Sequence, residues 1–208
     1  MPELGRYSVL EGLEFTGKTT QIGLARDHAE SIGRPLLVVR EPGGTPFGHQ
    51  IRDILLHSEH SLDPVTEAML FMADRHFLWH STILPALEDG VMVLSDRNYL
   101  SMYAYQGYGG QNSIDFLRSQ VELVMPQQYL HPAGFAVLSL TKQSWIARKQ
   151  SRLAHTPADR IEAKDIDFFE RARQGYEIES ARAGASTVSA ERTPEAVFSE
   201  LRPILFGE

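Results

Sequence analysis

Eight residues near the amino terminus have the types and spacing to hold a chain of phosphates. Gly12-Leu-Glu-Phe-Thr-Gly17-Lys18-Thr19 matches G-x-x-x-x-G-K-[ST]. The glycines let the backbone turn tightly enough for its N–H groups to converge on an anion. Lys18 reaches the outer phosphates of a nucleotide, and the hydroxyl of Thr19 is placed for a Mg2+ ion. Gly12, Leu13, Glu14, Phe15, Thr16, Gly17, Lys18, Thr19 and Thr20 form the candidate nucleotide-binding set. The pattern alone does not choose between ATP and GTP, or between a kinase, a switch and a motor. No N-K-x-D segment that would read guanine occurs in the chain.

Such a loop works only between a strand and a helix. Residues 7–11 read as a short apolar strand and 19–31 as a helix, which supplies that context. Strand and helix signals then alternate: a buried strand at 35–39, a helix at 46–57, a long helix at 64–88 and a strand at 91–94. A helix start at 99–105, a helix at 113–124, a strand at 135–140 and a helix at 142–153 follow. The chain continues with a helix at 165–179, a short strand at 187–189 and a last helix at 194–205. This order predicts an α/β fold, with a parallel sheet between two layers of helices. Residues 149–164 carry few large apolar side chains and read as a mobile lid within one domain spanning 1–208.

The balance of charges excludes some partners. Net charge is −7, which argues against a broad nucleic-acid surface but permits local cationic pockets. The basic residues are 16 Arg and 4 Lys, a bias that suits bidentate phosphate recognition or reflects genome composition. There are no cysteines, which fits a reducing compartment. No run of 18 apolar residues suggests a membrane span, and residues 1–7 do not read as a signal peptide, so a cytoplasmic location is expected.

Five segments in order resemble the thymidylate kinases, a family of P-loop nucleoside monophosphate kinases. The loop with its flanks, Glu11 through Gln21, is the first, and Arg40-Glu-Pro-Gly-Gly-Thr-Pro46 the second. Phe71-Met-Ala-Asp-Arg75 is similar to the helix that carries a base-stacking ring and an arginine. Asp96-Arg97, Ser101 and Ala104-Tyr-Gln-Gly107 match the next segment. Asp159-Arg-Ile-Glu162 with Phe168-Phe169 resembles the end of the lid. The likeness spans residues 7 to about 176. It implies a P-loop NTPase three-layer sandwich, ATP as phosphoryl donor, Mg2+ as cofactor and dTMP as acceptor. It also implies a homodimer packed through long helices, 64–88 among them.

The resemblance assigns roles to particular side chains. Arg97 lies just past a strand end, where ligands of open α/β sheets collect, and is expected to hold the acceptor phosphate. Arg40 is a second ligand for it. Glu14 faces the acceptor sugar. Phe71 stacks on the base, and Arg75, one turn later, bonds its carbonyl. Ser101, Met102, Tyr105 and Gln106 complete the substrate set, although Tyr105 is equally readable as core and Gln106 as a local cap. Asp96 either organises Mg2+ through water, caps a helix or pairs with Arg97. The family takes a catalytic arginine from the P-loop or from the lid. Phe15 occupies the P-loop position, so the charge is expected from the lid side, among Arg148, Lys149, Arg152 and Arg160, with Arg148 and Arg152 foremost.

Two departures bear on the reaction. Phe15 stands where lid-arginine relatives have Gly. Met102 stands where a hydrogen-bonding residue usually meets the base, and a thioether cannot make that bond. The expected activity is transfer of the ATP γ-phosphoryl to dTMP. The alternatives are a kinase for a 5-modified dUMP or other deoxypyrimidine monophosphate, and a non-catalytic nucleotide-binding protein.

Overall fold

The computed structural model describes residues 4–58, 62–155 and 157–208; residues 1–3 of the amino-terminal segment and residue 156 of the expected lid fall outside them. Five strands form one parallel sheet: β1 Tyr7–Gly12, β2 Leu36–Arg40, β3 Met92–Asp96, β4 Gly134–Ser139 and β5 Ser186–Ser189. Their order is β2-β3-β1-β4-β5. The chain leaves β1 toward one edge, and after β3 it crosses back over β1 to build the other. Such a reversal opens a crevice beyond the carboxyl ends of the central strands.

Both faces of the sheet are covered, so its strands are apolar on both sides. Tyr7, Val9, Val93, Phe135 and Val137 share one core with Leu78, Trp79, Leu117, Phe169 and Tyr176. Leu10, Met92, Leu94, Ala136 and Leu138 share the other with Ile22, Ala25, Leu201 and Leu205. The helices are α1 Lys18–Ser31, α2 Pro46–His57, α3 Pro64–Leu78, α4 Leu84–Glu88, α5 Tyr99–Met102, α6 Ile114–Val124, α7 Gln127–Leu130, α8 Lys142–Leu153, α9 Ile166–Arg182 and α10 Pro194–Phe206. Side chains cap most of the long ones: Thr45, Asp63, Ser113, Thr141, Asp165 and Thr193 each accept a backbone N–H from the first turn.

The expected helix over 64–88 is continuous but not uniform. A π-helical turn, Trp79–Ile83, joins α3 to α4. Pro85 has no N–H to donate to residue 81 and its ring crowds that carbonyl, so the chain there takes the wider turn. The helix start expected at 99–105 likewise passes from α5 into a π-helical segment, Tyr103–Gly109. The expected loop at 149–164 begins as helix, because α8 runs to Leu153. Lys, Gln, Arg and Leu there favour helix, and polarity alone does not break one. Helix α7 was not foreseen; four residues carry too little periodicity to read.

Candidate active site

Register brings the key loops together. Leu10 of β1 and Arg40 of β2 both pair with Asp96 of β3, so the P-loop, Arg40 and Arg97 leave the sheet side by side. Gly12 has φ +138°, and a Cβ there would lie 2.6 Å from the Leu138 carbonyl oxygen. Only glycine fits at that approach. Gly17 precedes α1 with φ +94° and offers no side-chain cap. No acidic residue occupies the first turn of α1 either, so its positive end stays open to an anion.

A cavity of about 550 Å³ lies over this edge. Seven cationic and five acidic side chains line it, in a chain whose net charge is −7. Of the expected nucleotide-binding set, Glu14, Phe15, Gly17, Lys18 and Thr19 line it. Leu13 and Thr16 instead border a second cavity behind the loop, and Thr20 is exposed on α1. All the expected substrate residues line the first cavity: Arg40, Phe71, Arg75, Arg97, Ser101, Met102, Tyr105 and Gln106. Asp96, Arg148 and Arg152 line it too.

Lys18 is folded onto the loop it belongs to. Its Nζ donates to the carbonyls of Gly12 and Leu13, each at 2.9 Å. Burial, and after it the charge of Arg97, pushes its pKa down to about 8. Arg97 has φ +78° and Phe15 φ +66°, left-handed conformations that cost a non-glycine residue about 1–3 kcal/mol. Arg97 is held there by four acceptors. Nη1 donates to Gly12 O (2.9 Å), Ser101 Oγ (3.0 Å) and Tyr176 OH (2.9 Å), and Nη2 donates to Glu14 Oε1 (2.8 Å). Burial works against this charge, but Tyr105, Tyr176, Glu14 and Glu11 outweigh it and raise the guanidinium pKa. Tyr105 donates its hydroxyl to the other oxygen of Glu14, and its ring lies 5.3 Å beneath the Arg97 guanidinium. The Glu14 carboxylate is therefore turned toward Arg97, on the side of the expected acceptor.

Beside Phe71, half-buried on α3, Arg75 is almost fully buried. Its Nε donates to Glu41 (2.8 Å) and Tyr129 OH (2.7 Å), and Nη2 to the Asn98 carbonyl (3.1 Å). Burial raises the Glu41 carboxyl to about 7, against the pull of Arg75. Among the described residues, Nη1 of Arg75 donates only to thioethers, Met72 Sδ at 3.4 Å and Met102 Sδ at 3.2 Å. Sulfur is a weak acceptor, so this group is the one most readily given up to a base carbonyl. Gln106 accepts at its backbone oxygen from Asn112 while its side chain lines the cavity.

The four lid-side cations sit in four different environments. Arg148 bonds the carbonyls of Phe15 (3.3 Å), Thr16 (3.5 Å) and Ala190 (2.7 Å). Lys149 lies over the rings of Trp145 and Phe169. Arg160 is paired with Glu67 and donates to Leu55 O, which ties the far end of the lid segment to α2 and α3. Arg152 lines the cavity and makes no side-chain hydrogen bond or ion pair among the described residues. Arg40 is equally free.

Sequence reasoning missed the residues that hold the site from behind. Glu11 is fully buried and accepts from Asn98 N, Ser101 N, Ser101 Oγ and Tyr176 OH. Glu41 lies within the Arg40–Pro46 segment but was given no role, and Tyr129 and Tyr176 come from distant segments that no local pattern marks. Arg52, on α2, also lines the cavity; burial and the nearby Arg40 and Arg97 lower its pKa. Its position one and a half turns into a helix that opens beside Arg40 was the available signal.

This fold and this loop define a P-loop phosphate-binding protein of the α/β class. A family model described as thymidylate kinase matches residues 10–201. The thymidylate kinase of Caldanaerobacter subterraneus subsp. tengcongensis is 38% identical over 172 residues, covering 83% of this chain and 80% of the relative. That of Kosmotoga olearia is 37% identical over 197 residues, covering 91% and 92%. The crystal structure of thymidylate kinase from Ehrlichia chaffeensis superposes with a TM-score of 0.76 over 97% of this chain and 98% of that one; at 22% identity it speaks for the fold alone. The chain belongs to the thymidylate kinase family.

Proposed function

We propose that this protein transfers the γ-phosphoryl group of ATP to dTMP, giving dTDP for deoxynucleotide synthesis. One observation carries the reading. A single cavity is lined by Lys18 at the open end of α1 and by Arg40, Arg52, Arg97 and Phe71. Two anionic nucleotides can meet only where both are neutralised, and phosphoryl transfer needs little beyond that and alignment. Lys18 moves from the loop carbonyls to the ATP phosphates. Arg97 and Arg40 hold the acceptor phosphate, Phe71 stacks on the pyrimidine, and Nη1 of Arg75 bonds its carbonyl. Tyr105, Ser101, Met102 and Gln106 shape the sugar and base walls. Arg152, a lid arginine with no side-chain hydrogen bond or ion pair among the described residues, stabilises charge on the transferred group, within one domain whose lid is residues 149–164. The acceptor is already an anion, so no general base is required.

Mg2+ fits the residues present. Asp96 Oδ1 is buried without a hydrogen-bond partner, and the exposed Thr19 hydroxyl shares the cavity with it. Among the described residues no group of three His, Cys, Asp or Glu side chains could hold a metal, which suits an ion bound largely by phosphate and water. When bound, it supplies neutralisation of phosphate charge. A homodimer is supported by the apolar side chains that α3 leaves exposed, Val65, Met69 and Phe77. Among the described residues no helix is long and apolar enough to cross a membrane, and a cytoplasmic site fits the substrates.

The test is coupled ADP release with Mg-ATP and a panel of dTMP, dUMP, 5-hydroxymethyl-dUMP, dCMP, UMP, AMP and GMP. Preference for dTMP is expected. Preference for the 5-hydroxymethyl compound would make Met102 a specificity device for a modified base, and absence of acceptor-dependent turnover would leave a nucleotide-binding protein.

A further inference from the structure

Every carbonyl of the P-loop turn from Gly12 to Thr16 accepts a side-chain donor. The carbonyl of Gly12 accepts from Lys18 and Arg97, and that of Leu13 from Lys18 and the Thr16 hydroxyl. Glu14 O accepts from Trp145 Nε1 at 3.0 Å, and Phe15 O and Thr16 O from Arg148. The last three bonds all come from α8. A trans peptide points its N–H opposite its C=O, so anchoring carbonyls 14–16 on α8 directs the following N–H groups away from it. Trp145 is itself fixed. It is 4% exposed, its ring packs 4.8 Å from Phe169 and 6.1 Å from Phe15, and the Lys149 ammonium lies 5.2 Å from its centre. The peptide it grips carries the side chain that grips Arg97 and Tyr105.

We propose that Trp145 is a positioning residue for phosphoryl transfer: its indole N–H sets the Glu14 peptide, and through the Glu14 carboxylate it sets Arg97. The proposal rests on the kinase reading above. Trp145 stands outside the cavity where the nucleotides meet, on the wall of the second cavity behind the loop, and acts only through Glu14.

Trp145→Phe keeps an aromatic ring against Phe169 and removes the N–H donor together with part of the buried ring volume. The dTMP kcat/KM should fall about five-fold, the worth of one hydrogen bond, while ATP affinity stays within about two-fold because Lys18 and Arg148 still hold the loop. In a Glu14→Ala background the same substitution should add almost nothing, since coupled residues are not additive. Unchanged kinetics in Trp145→Phe, or an equal loss in both backgrounds, would overturn the proposal. Absence of acceptor-dependent turnover in the unmodified chain would instead sink the kinase reading. If the variant does not fold, the natural chain decides. Its two tryptophans give two indole N–H signals, and that of Trp145 should shift on adding Mg-ATP; no shift overturns the proposal.

Discussion

Arg97 offers the sharpest test, because it is asked to do two jobs that can be separated. Its guanidinium joins Gly12 O, Ser101, Tyr176 and Glu14, and its Nη1 lies 3.9 Å from the fully buried Glu11 carboxylate. Arg97→Ala strands two carboxylates without a cation, a loss of about 3–5 kcal/mol. In a chain of this size that lowers Tm by about 6–20 °C. Arg97→Lys is more informative. The charge survives and the backbone strain is unchanged, since neither residue is glycine. A single ammonium cannot span Glu14 on one side and the Gly12, Ser101 and Tyr176 group on the other, so stability should fall by only about 1–2 kcal/mol. The acceptor phosphate loses its planar fork as well. We expect kcat/KM for dTMP to fall about a hundred-fold, ~2.7 kcal/mol at the transition state. Thermal unfolding and steady-state ADP release at saturating ATP measure the two effects separately. If Arg97→Lys held kcat/KM within two-fold of the parent, the fork would be irrelevant and the acceptor phosphate would lie elsewhere.

Arg152→Ala should lower kcat at least ten-fold with little change in ATP affinity; an unaltered kcat would return the lid role to another cation. Lys18 predicts a pH dependence. The free protein carries it with a pKa of about 8 against an ordinary 10.5, so kcat/KM for ATP should decline above about pH 8. The sign for stability is opposite. Between those two values the unfolded chain binds the proton and the native one does not, so this group makes the free protein more stable as pH rises. Rate and melting profiles from pH 6.5 to 10 check both, and Lys18→Met should abolish the stability rise.

The P-loop was legible because its chemistry is local: eight consecutive residues between a strand and a helix. Arg40, Phe71, Arg75 and Arg97 were legible through family likeness, and the parallel register explains why they share one cavity. What stayed hidden was the support. Glu11 reads as an ordinary strand residue, yet in the fold it accepts from residues 87 to 165 positions away. Trp145 reads as one aromatic on a polar helix, and only packing shows that its N–H ends on the P-loop. Sequence put Arg148 and Arg152 ahead of Lys149 and Arg160 but could not choose between the first two; their different partners separate all four.

The π-helical turn between α3 and α4 has a consequence for what this helix can tolerate. Trp79, Ile83 and Leu87 are all buried, in steps of four residues. In a regular α-helix each such step overshoots a full turn by about 40°, and three residues so spaced drift off a common face. The wider turn takes up the excess and keeps them on the core, while Phe71 and Arg75, upstream of it, keep their own heading toward the cavity. The segment 79–83 thus works as a phase adjuster between two registers of one rod. Removing a single residue from it would let the ladder close as regular α-helix with α4 left in place, whereas the same deletion within α3 would swing the residues beyond it by about 100°.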